Sequence, residues 1–511
     1  MLTNKSLCFI YLSKSSLAIT RQICSQSILA EDHYVAGITN LSDSLEKKLE
    51  GMQQQQQSTS SNTSIYRVPS KLNKIEPRAY EPHFISIGPY HRGSSHLQNS
   101  ERLKWDSLKR VVGLGGARAR DKRHNLLCIL DDIEPKARGC YSEDVELSRD
   151  AFVEMMLLDG CFIVELFRDL QKNNFVSSSL LSKRWMLPVV RRDLITLENQ
   201  LPMIVLKKIF EQTMIRSDSN SKNASLEELA LNFFDPLMPR EGSLLQQSID
   251  SVTSSSQNFH HLLDVFHSSI SQGLVSRGKE PHMYRSVAEL KEAGIKVRVL
   301  GNSQPLEVRF SRGMLRIPSL QIDNHTGSFF RNIVAYEQCH HECMPHMTAY
   351  LFFLDKLINS AQDVGLLHYE GVMQHTLGSN KEVAKLINKL CIEVEHDGQD
   401  SYLYDVVQDI NAYSNNWLIK AKTRLKHDYF SNLWAGISTI AALLLLYLTL
   451  LQTSCDAIEA QEKELQEKKG SWVGLTLFLL HPIKEFMKIV CSALSKIASF
   501  IGQKDPSDDP Q

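Results

Sequence analysis

From Asn432 to Ser454 the chain reads NLWAGISTIAALLLLYLTLLQTS, and no Asp, Glu, Lys or Arg occurs between Asp428 and Asp456. A helix of about 20 residues rises roughly 30 Å, the hydrocarbon thickness of a bilayer. Core helices of soluble proteins are seldom uncharged for so long, so this stretch calls for lipid around it. The hydroxyls of Ser438, Thr439 and Thr449 can return to the helix backbone. Trp434 lies near one end, where an indole favours the headgroup boundary, and Gln452 lies near the other. We read residues 431–454 as one transmembrane helix with the lipid bilayer as its partner.

The span orders the rest. Residues 1–64 read as a variable extension and polar linker, 65–430 as a large helical domain, and 455–511 as a charged helix followed by an amphipathic tail helix. Lys5, Lys14 and Arg21 precede the first acid, Glu31, which suits a transit peptide or an inert extension; LCFIYL is too short for a secretory signal, and we favour the extension. Leu41–Met52 has the pattern of a short amphipathic helix, and QQQQQSTSSNTS cannot bury a core. Beyond the span, Glu459/Lys463 and Glu464/Lys468 stand four apart, which predicts that the helix continues into water. In the tail, Ile483, Phe486, Met487, Val490, Leu494, Ile497 and Ile501 form one stripe, the pattern of a helix lying on a membrane or packing on a partner.

The formal net charge is −1, so no nucleic-acid partner is expected. The 10 cysteines run from Cys8 to Cys491 with no CxxC pair, which suits buried thiols in a reducing compartment. Lys420, Lys422, Arg424 and Lys426 precede the span while Lys463, Lys468 and Lys469 follow it. The expectation is a plasma-membrane protein whose large domain is cytoplasmic.

Within 65–430 the expected fold class is mainly α with a small β element. Prolines at 69, 77, 82 and 89 forbid a long helix, leaving Phe84, Ile85 and Ile87 for one short strand and Gly88-Pro89 for a turn presenting His91, read as a backbone-bonded turn histidine. Leu103–Val112 predicts a helix ending at Gly113. The following GLGGARAR lacks the strand and helix that a phosphate loop needs, so no nucleotide site is assigned. Leu147–Gln171 is the strongest helix, N-capped by Ser148, with Glu154, Glu165, Arg168 and Asp169 on the solvent arc. Asp159 falls on its apolar face. It is either a perturbed acid in a pocket or, as we read it, a carboxylate that caps the second half of a helix interrupted at Asp159-Gly160, or one that pairs with Arg191 or Arg192.

Pro202 makes Glu198, Asn199 and Gln200 a polar joint between two apolar helices, and no local partner makes Glu198 a general acid. Ser217–Ser225 and Ser251–Ser256 read as loops. His260, His261 and His267 invite a metal reading, but His260 and His267 lack the carboxylate or further ligand that a site needs. Cys339, Cys343 and His346 share a helical face that Pro345 disrupts. Val297–Ile322 alternates like two or three strands, and helices are expected over Phe329–Ile358, Asp363–Leu377, Asn380–His396 and Tyr402–Tyr429. No catalytic, cofactor-binding or metal residue is assigned. The expected activity is binding, with a protein partner; the competing reading is an enzyme using Asp159 or Glu198.

IYRVPSKL, AYEPHFISIGPYHRG, LKW at Leu103–Trp105, LLDGCFIVELF, DLITLENQLP, LLDVFH, ELKEAGIK, RIPSLQID, RNIVAYEQ and the span itself follow one another in that order. Together, over about Ile65–Thr453, they resemble the plant domain-of-unknown-function family numbered two hundred and forty-seven. The resemblance implies a plant protein, mostly helical, with a C-terminal span; some members are implicated in grass self-incompatibility, and no catalytic residue is established for the family. This chain differs in its long N-terminal lead, in Ser100-Glu101-Arg102 before the LKW block, and in a longer tail.

Overall fold

The structure is a computed structural model; it describes Thr39, Met283 and residues 41–49, 63–172, 183–213, 224–255, 257–279, 285–396, 401–416 and 433–467. The expectations for residues 1–38, the glutamine-rich linker, Ser217–Asn223, the Lys420–Lys426 cluster and the tail after Glu467 lie outside the described residues. Residues 41–49 are helical, with Leu41, Leu45 and Leu49 exposed along one side.

The chain divides into two compact units, Met1–Ala421 and Lys422–Gln511. The first is mainly helical. After residues 41–49 and a single turn at Ser70–Asn73, its described helices are α1 (Gln98–Val112), α2 (Gly116–Arg138), α3 (Arg149–Gln171), α4 (Met186–Asp193) and α5 (Met203–Thr213). They continue with α6 (Leu226–Phe234), α7 (Gly242–Ser254), α8 (Leu262–Ile270) and α9 (Val287–Glu292). After the strands come α10 (Thr326–Cys339), α11 (His346–Leu357), α12 (Ala361–Tyr369), α13 (Asn380–Leu390) and α14 (Tyr404–Asn415).

The centre of this unit is α3, which packs against α1, α2, α5 and α6. Ser148 Oγ accepts the Ala151 N–H at its start, satisfying one of the orphan donors of the first turn. Phe152, Met155, Met156, Phe162 and Ile163 are wholly buried. Asp169 is buried too, at 6% exposure, and belongs to no solvent face because Arg110 of α1 lies 2.7 Å from its Oδ2. Asp159-Gly160 does not interrupt the helix. The Gly160 site lies against the Ile209 side chain of α5, where a Cβ would overlap it, so the glycine serves close helix packing. A helix does follow the glycines at 113–116, contrary to expectation, but no strand precedes them. Ser251–Ser254 form the last turn of α7 rather than a loop.

The β element is larger than the sequence suggests. Strands β1 (Lys296–Val299), β2 (Arg309–Ser311) and β3 (Met314–Ile317) form a sheet in the order β1-β3-β2. Lys296 pairs with Met314 in parallel and Phe310 with Leu315 antiparallel. Arg312 and Gly313 have φ of 51° and 76°, as a two-residue hairpin turn requires. A second pair joins β4 (Leu320–Ile322) in parallel to β5 (Met373–His375). The expected helix over Asp363–Leu377 therefore stops at Tyr369. Three-residue strands leave no periodicity to read.

The second unit contains α15 (Leu433–Glu467), continuous from the apolar stretch into the charged one, as expected. Ile437–Ser454 is long and apolar enough to cross a membrane, and none of it is buried. Leu444, Leu445, Leu446 and Leu448 are all more than half exposed. Thr453 Oγ1 donates to the Thr449 carbonyl at 2.9 Å and Ser454 Oγ to that of Leu450 at 2.7 Å, so these hydroxyls are satisfied inside the helix.

Candidate functional site

The expected strand at Phe84–Ile87 is not formed: Phe84 lies in a bend and Ile85–Ile87 in irregular chain that pairs with no strand. Its backbone donors go to side chains instead. The Asp193 carboxylate accepts the N–H groups of His83, Phe84 and Ile85 at 2.9, 2.7 and 2.9 Å. Asn199 Oδ1 accepts the Ile87 N–H at 2.7 Å, and Asp159 Oδ2 that of Gly88 at 2.8 Å. Gly88 has φ of 71°, and a Cβ there would stand 2.6 Å from the Gln200 carbonyl oxygen, so both backbone and space demand glycine.

The other oxygen of Asp159 lies 2.8 Å from Lys104 Nζ. Both side chains are 1% exposed, and Lys104 is also 2.7 Å from Glu101 Oε1. The partner is thus Lys104 and neither Arg191 nor Arg192; Arg191 donates to the Phe233 carbonyl at 2.5 Å. Burial pushes the Asp159 carboxyl up, and Lys104 opposes it. With no open face, this acid holds the fold and does not meet a solute.

Glu198 has partners that only tertiary structure supplies: Arg67 Nη1 at 2.7 Å, the Val68 N–H at 2.8 Å and His91 Nε2 at 3.6 Å. His91 therefore faces Glu198, and its buried Nε2 has no hydrogen bond. Burial lowers its pKa, with Glu198 opposing. The Arg67 guanidinium in turn lies 4.1 Å over the Tyr90 ring.

Beside this joint lies a histidine-rich cluster built from the start of α8 and the connector between α10 and α11. His261 caps α8: its Nδ1 accepts the Asp264 N–H at 3.2 Å, and its Nε2 is 3.1 Å from the Ser64 carbonyl oxygen. Burial lowers the His261 pKa to about 4. Glu337 Oε1 lies 2.7 Å from His267 Nε2, and the same carboxylate accepts the N–H groups of Met347 and Thr348 at the start of α11. Burial acts to lower the His267 pKa, but Cys343 and Glu337 raise it well above its ordinary value. Cys343 Sγ stands 3.6 Å from His267 Nδ1. This cysteine–histidine–glutamate series has the order of a nucleophilic triad, yet burial pushes the thiol up, the reverse of activation. Cys339, Cys343 and His346 are not brought into one cluster; both ring nitrogens of His346 are buried without a hydrogen bond. His260 gains what its local sequence lacks: the ligand atoms of His260, His340 and Glu342 lie within 4.8 Å of one another.

A separate open cleft of about 550 Å³ is lined by the Glu76–His83 stretch, Arg192–Thr196, the start of α10 and α13. Asp193 is consumed there by the three N–H groups above. Asp323 accepts the N–H groups of His325 and Thr326, each at 2.8 Å. Burial raises the Asp323 carboxyl, but these hydrogen bonds outweigh it and hold the pKa low. Arg78, Arg192, Lys385 and Lys389 also line the cleft, and among the described residues none of the four has an ion-pair partner within 4.0 Å. Burial lowers the Arg192 pKa.

Residues 65–448 match the family described as plant protein of unknown function. Similar proteins include the Arabidopsis thaliana UPF0481 protein At3g47200, 30% identical over 430 residues, covering 80% of this chain and 88% of that protein. The putative UPF0481 protein At3g02645 of the same plant is 23% identical over 487 residues, covering 76% of this chain and 89% of its own. No solved structure matches.

Proposed function

The chain belongs to DUF247, a plant family of unknown function, and from that premise we propose that it is a membrane-anchored binding module whose cleft takes an acidic segment of a partner protein. The observation carrying this reading is the cleft's charge distribution. Of the five Asp and Glu residues in its lining, Asp193 and Asp323 are spent on backbone N–H groups; Glu76, Glu81 and Glu382 line it as well, while Arg78, Arg192, Lys385 and Lys389 lack ion-pair partners among the described residues. Half-buried Arg192 bears a desolvation penalty that an incoming carboxylate relieves. Arginine also offers carboxylates a planar, two-point contact. In the full chain, a fluorescent glutamate-rich peptide is expected to bind with an anisotropy change that Arg192→Glu weakens at least tenfold. Equal binding by the variant would refute the cleft.

The anchor is Ile437–Ser454. We assign it to the plasma membrane with the large unit on the cytoplasmic side, a reading supported by the free thiols of Cys128, Cys140, Cys161, Cys339, Cys343 and Cys391. Full-length protein should stay in the pellet after alkaline carbonate washing, and a chain lacking residues 433–454 should move to the supernatant. Release of the intact chain would remove the anchor from the proposal.

A further inference from the structure

We propose that His260, His340 and Glu342 form a zinc site with an open fourth position, independent of the cleft. Their ligand atoms lie within 4.8 Å of one another, so small side-chain rotations bring all three to the roughly 2.0–2.2 Å bonds of a tetrahedral ion. Two imidazoles and one carboxylate with one open position are a four-coordinate zinc set, a donor mixture that ferrous iron also accepts and that hard ions such as calcium, which prefer oxygen alone, do not.

The hydrogen bonds around His340 argue for a ligand role. Tyr66 has a single hydroxyl proton, and it is donated to the Thr63 carbonyl at 2.8 Å. The 3.1 Å contact between Tyr66 Oη and His340 Nδ1 must therefore be made by a proton on Nδ1. That assigns the neutral ring's lone pair to Nε2, the nitrogen left to bind a metal. A ligating histidine that donates its second N–H to an oxygen is the usual outer arrangement of zinc sites. His260 is fixed from behind, its backbone N–H donating to Asp264 Oδ2 at 2.8 Å. Glu342 is exposed, which gives an ion a route in and leaves one side of the site to water or an external ligand. A bound ion would pin the connector between α10 and α11 to the residue pair preceding α8.

Zinc binding by the full chain in detergent, measured by competition against a chromogenic chelator, tests this. One equivalent is expected to bind, and cobalt in its place should give the visible absorption of a tetrahedral site. Glu342→Gln alters an exposed side chain and should leave the metal-free melting temperature unchanged while weakening zinc at least tenfold; His260→Gln should do the same or more. Tyr66→Phe removes the acceptor for His340 Nδ1 and should weaken zinc about tenfold, an effect an unspecific surface site would not show. Failure of the wild-type chain to take up an equivalent, or equal affinity in Glu342→Gln and His260→Gln, overturns the site.

Discussion

Lys104→Met is expected to remove about 3–5 kcal/mol of folding stability, because it strands a charge where water cannot reach it. Asp159 is wholly buried, and without Lys104 its remaining hydrogen bond is the one from Gly88. That bond holds the end of the 82–88 segment, so the loss spreads to the contacts Gly88 makes with the Gln200 backbone. Asp159→Ala is expected to be similarly harmful, since Lys104 is itself 1% exposed and would keep only Glu101 and, at 3.4 Å, Ser86 Oγ as partners. A double replacement, Lys104→Met with Asp159→Leu, leaves no buried charge and should recover much of the single-variant loss. Thermal melts of the full chain in detergent read all three. A Lys104→Met chain within about 1 kcal/mol of wild type, a typical single-variant loss, would show that the pair does not govern stability.

Acid is expected to weaken the fold between pH 6.5 and about 4. The pKa values of His261 and His346 are both lowered by burial from 6.5 to about 4. The folded chain therefore refuses protons that the unfolded chain accepts, and their share of stability is present above 6.5 and lost as the pH falls through that window. For His261 the displacement corresponds to roughly 3 kcal/mol. Its mechanism is visible: a proton on Nδ1 would abolish the acceptor that caps α8. His267 does not compensate. Its pKa is raised, so its contribution is already complete below 6.5 and disappears only as the pH climbs through the folded-state value. His261→Asn keeps an N-cap acceptor without the titration, and should flatten the plot of melting temperature against pH. A melting temperature constant from pH 6.5 to 4.5 would contradict this account.

Much of the architecture was legible because it is encoded locally. The unbroken apolar run marked the exposed span, Ser148 marked the start of α3, Pro202 marked the joint before α5, and alternation at 297–317 marked the first sheet. What escaped depends on partners brought from afar. Glu198 seemed solitary until Arg67, 131 positions earlier, met it. His260 seemed to lack ligands because His340 and Glu342 arrive on another connector. Asp159 was recognised as anomalous, but a lysine on α1 is an ordinary exposed-helix residue by composition, and nothing local marks Lys104 as its counterion. Gly160 was mistaken for a helix break because a glycine that admits a neighbouring side chain has the same letter as one that ends a helix.

The 82–88 segment carries a kinetic consequence. A strand in a hairpin can form with its neighbour within microseconds, whereas this stretch has no neighbour and depends on Asp159, Asn199 and Asp193 having already been assembled from two other parts of the chain. Loop closure must come first, so the segment is expected to order late. Conversely, the buried amides of Ile85, Ile87 and Gly88, each bonded to a buried side chain, are expected to exchange slowly despite their lack of regular secondary structure.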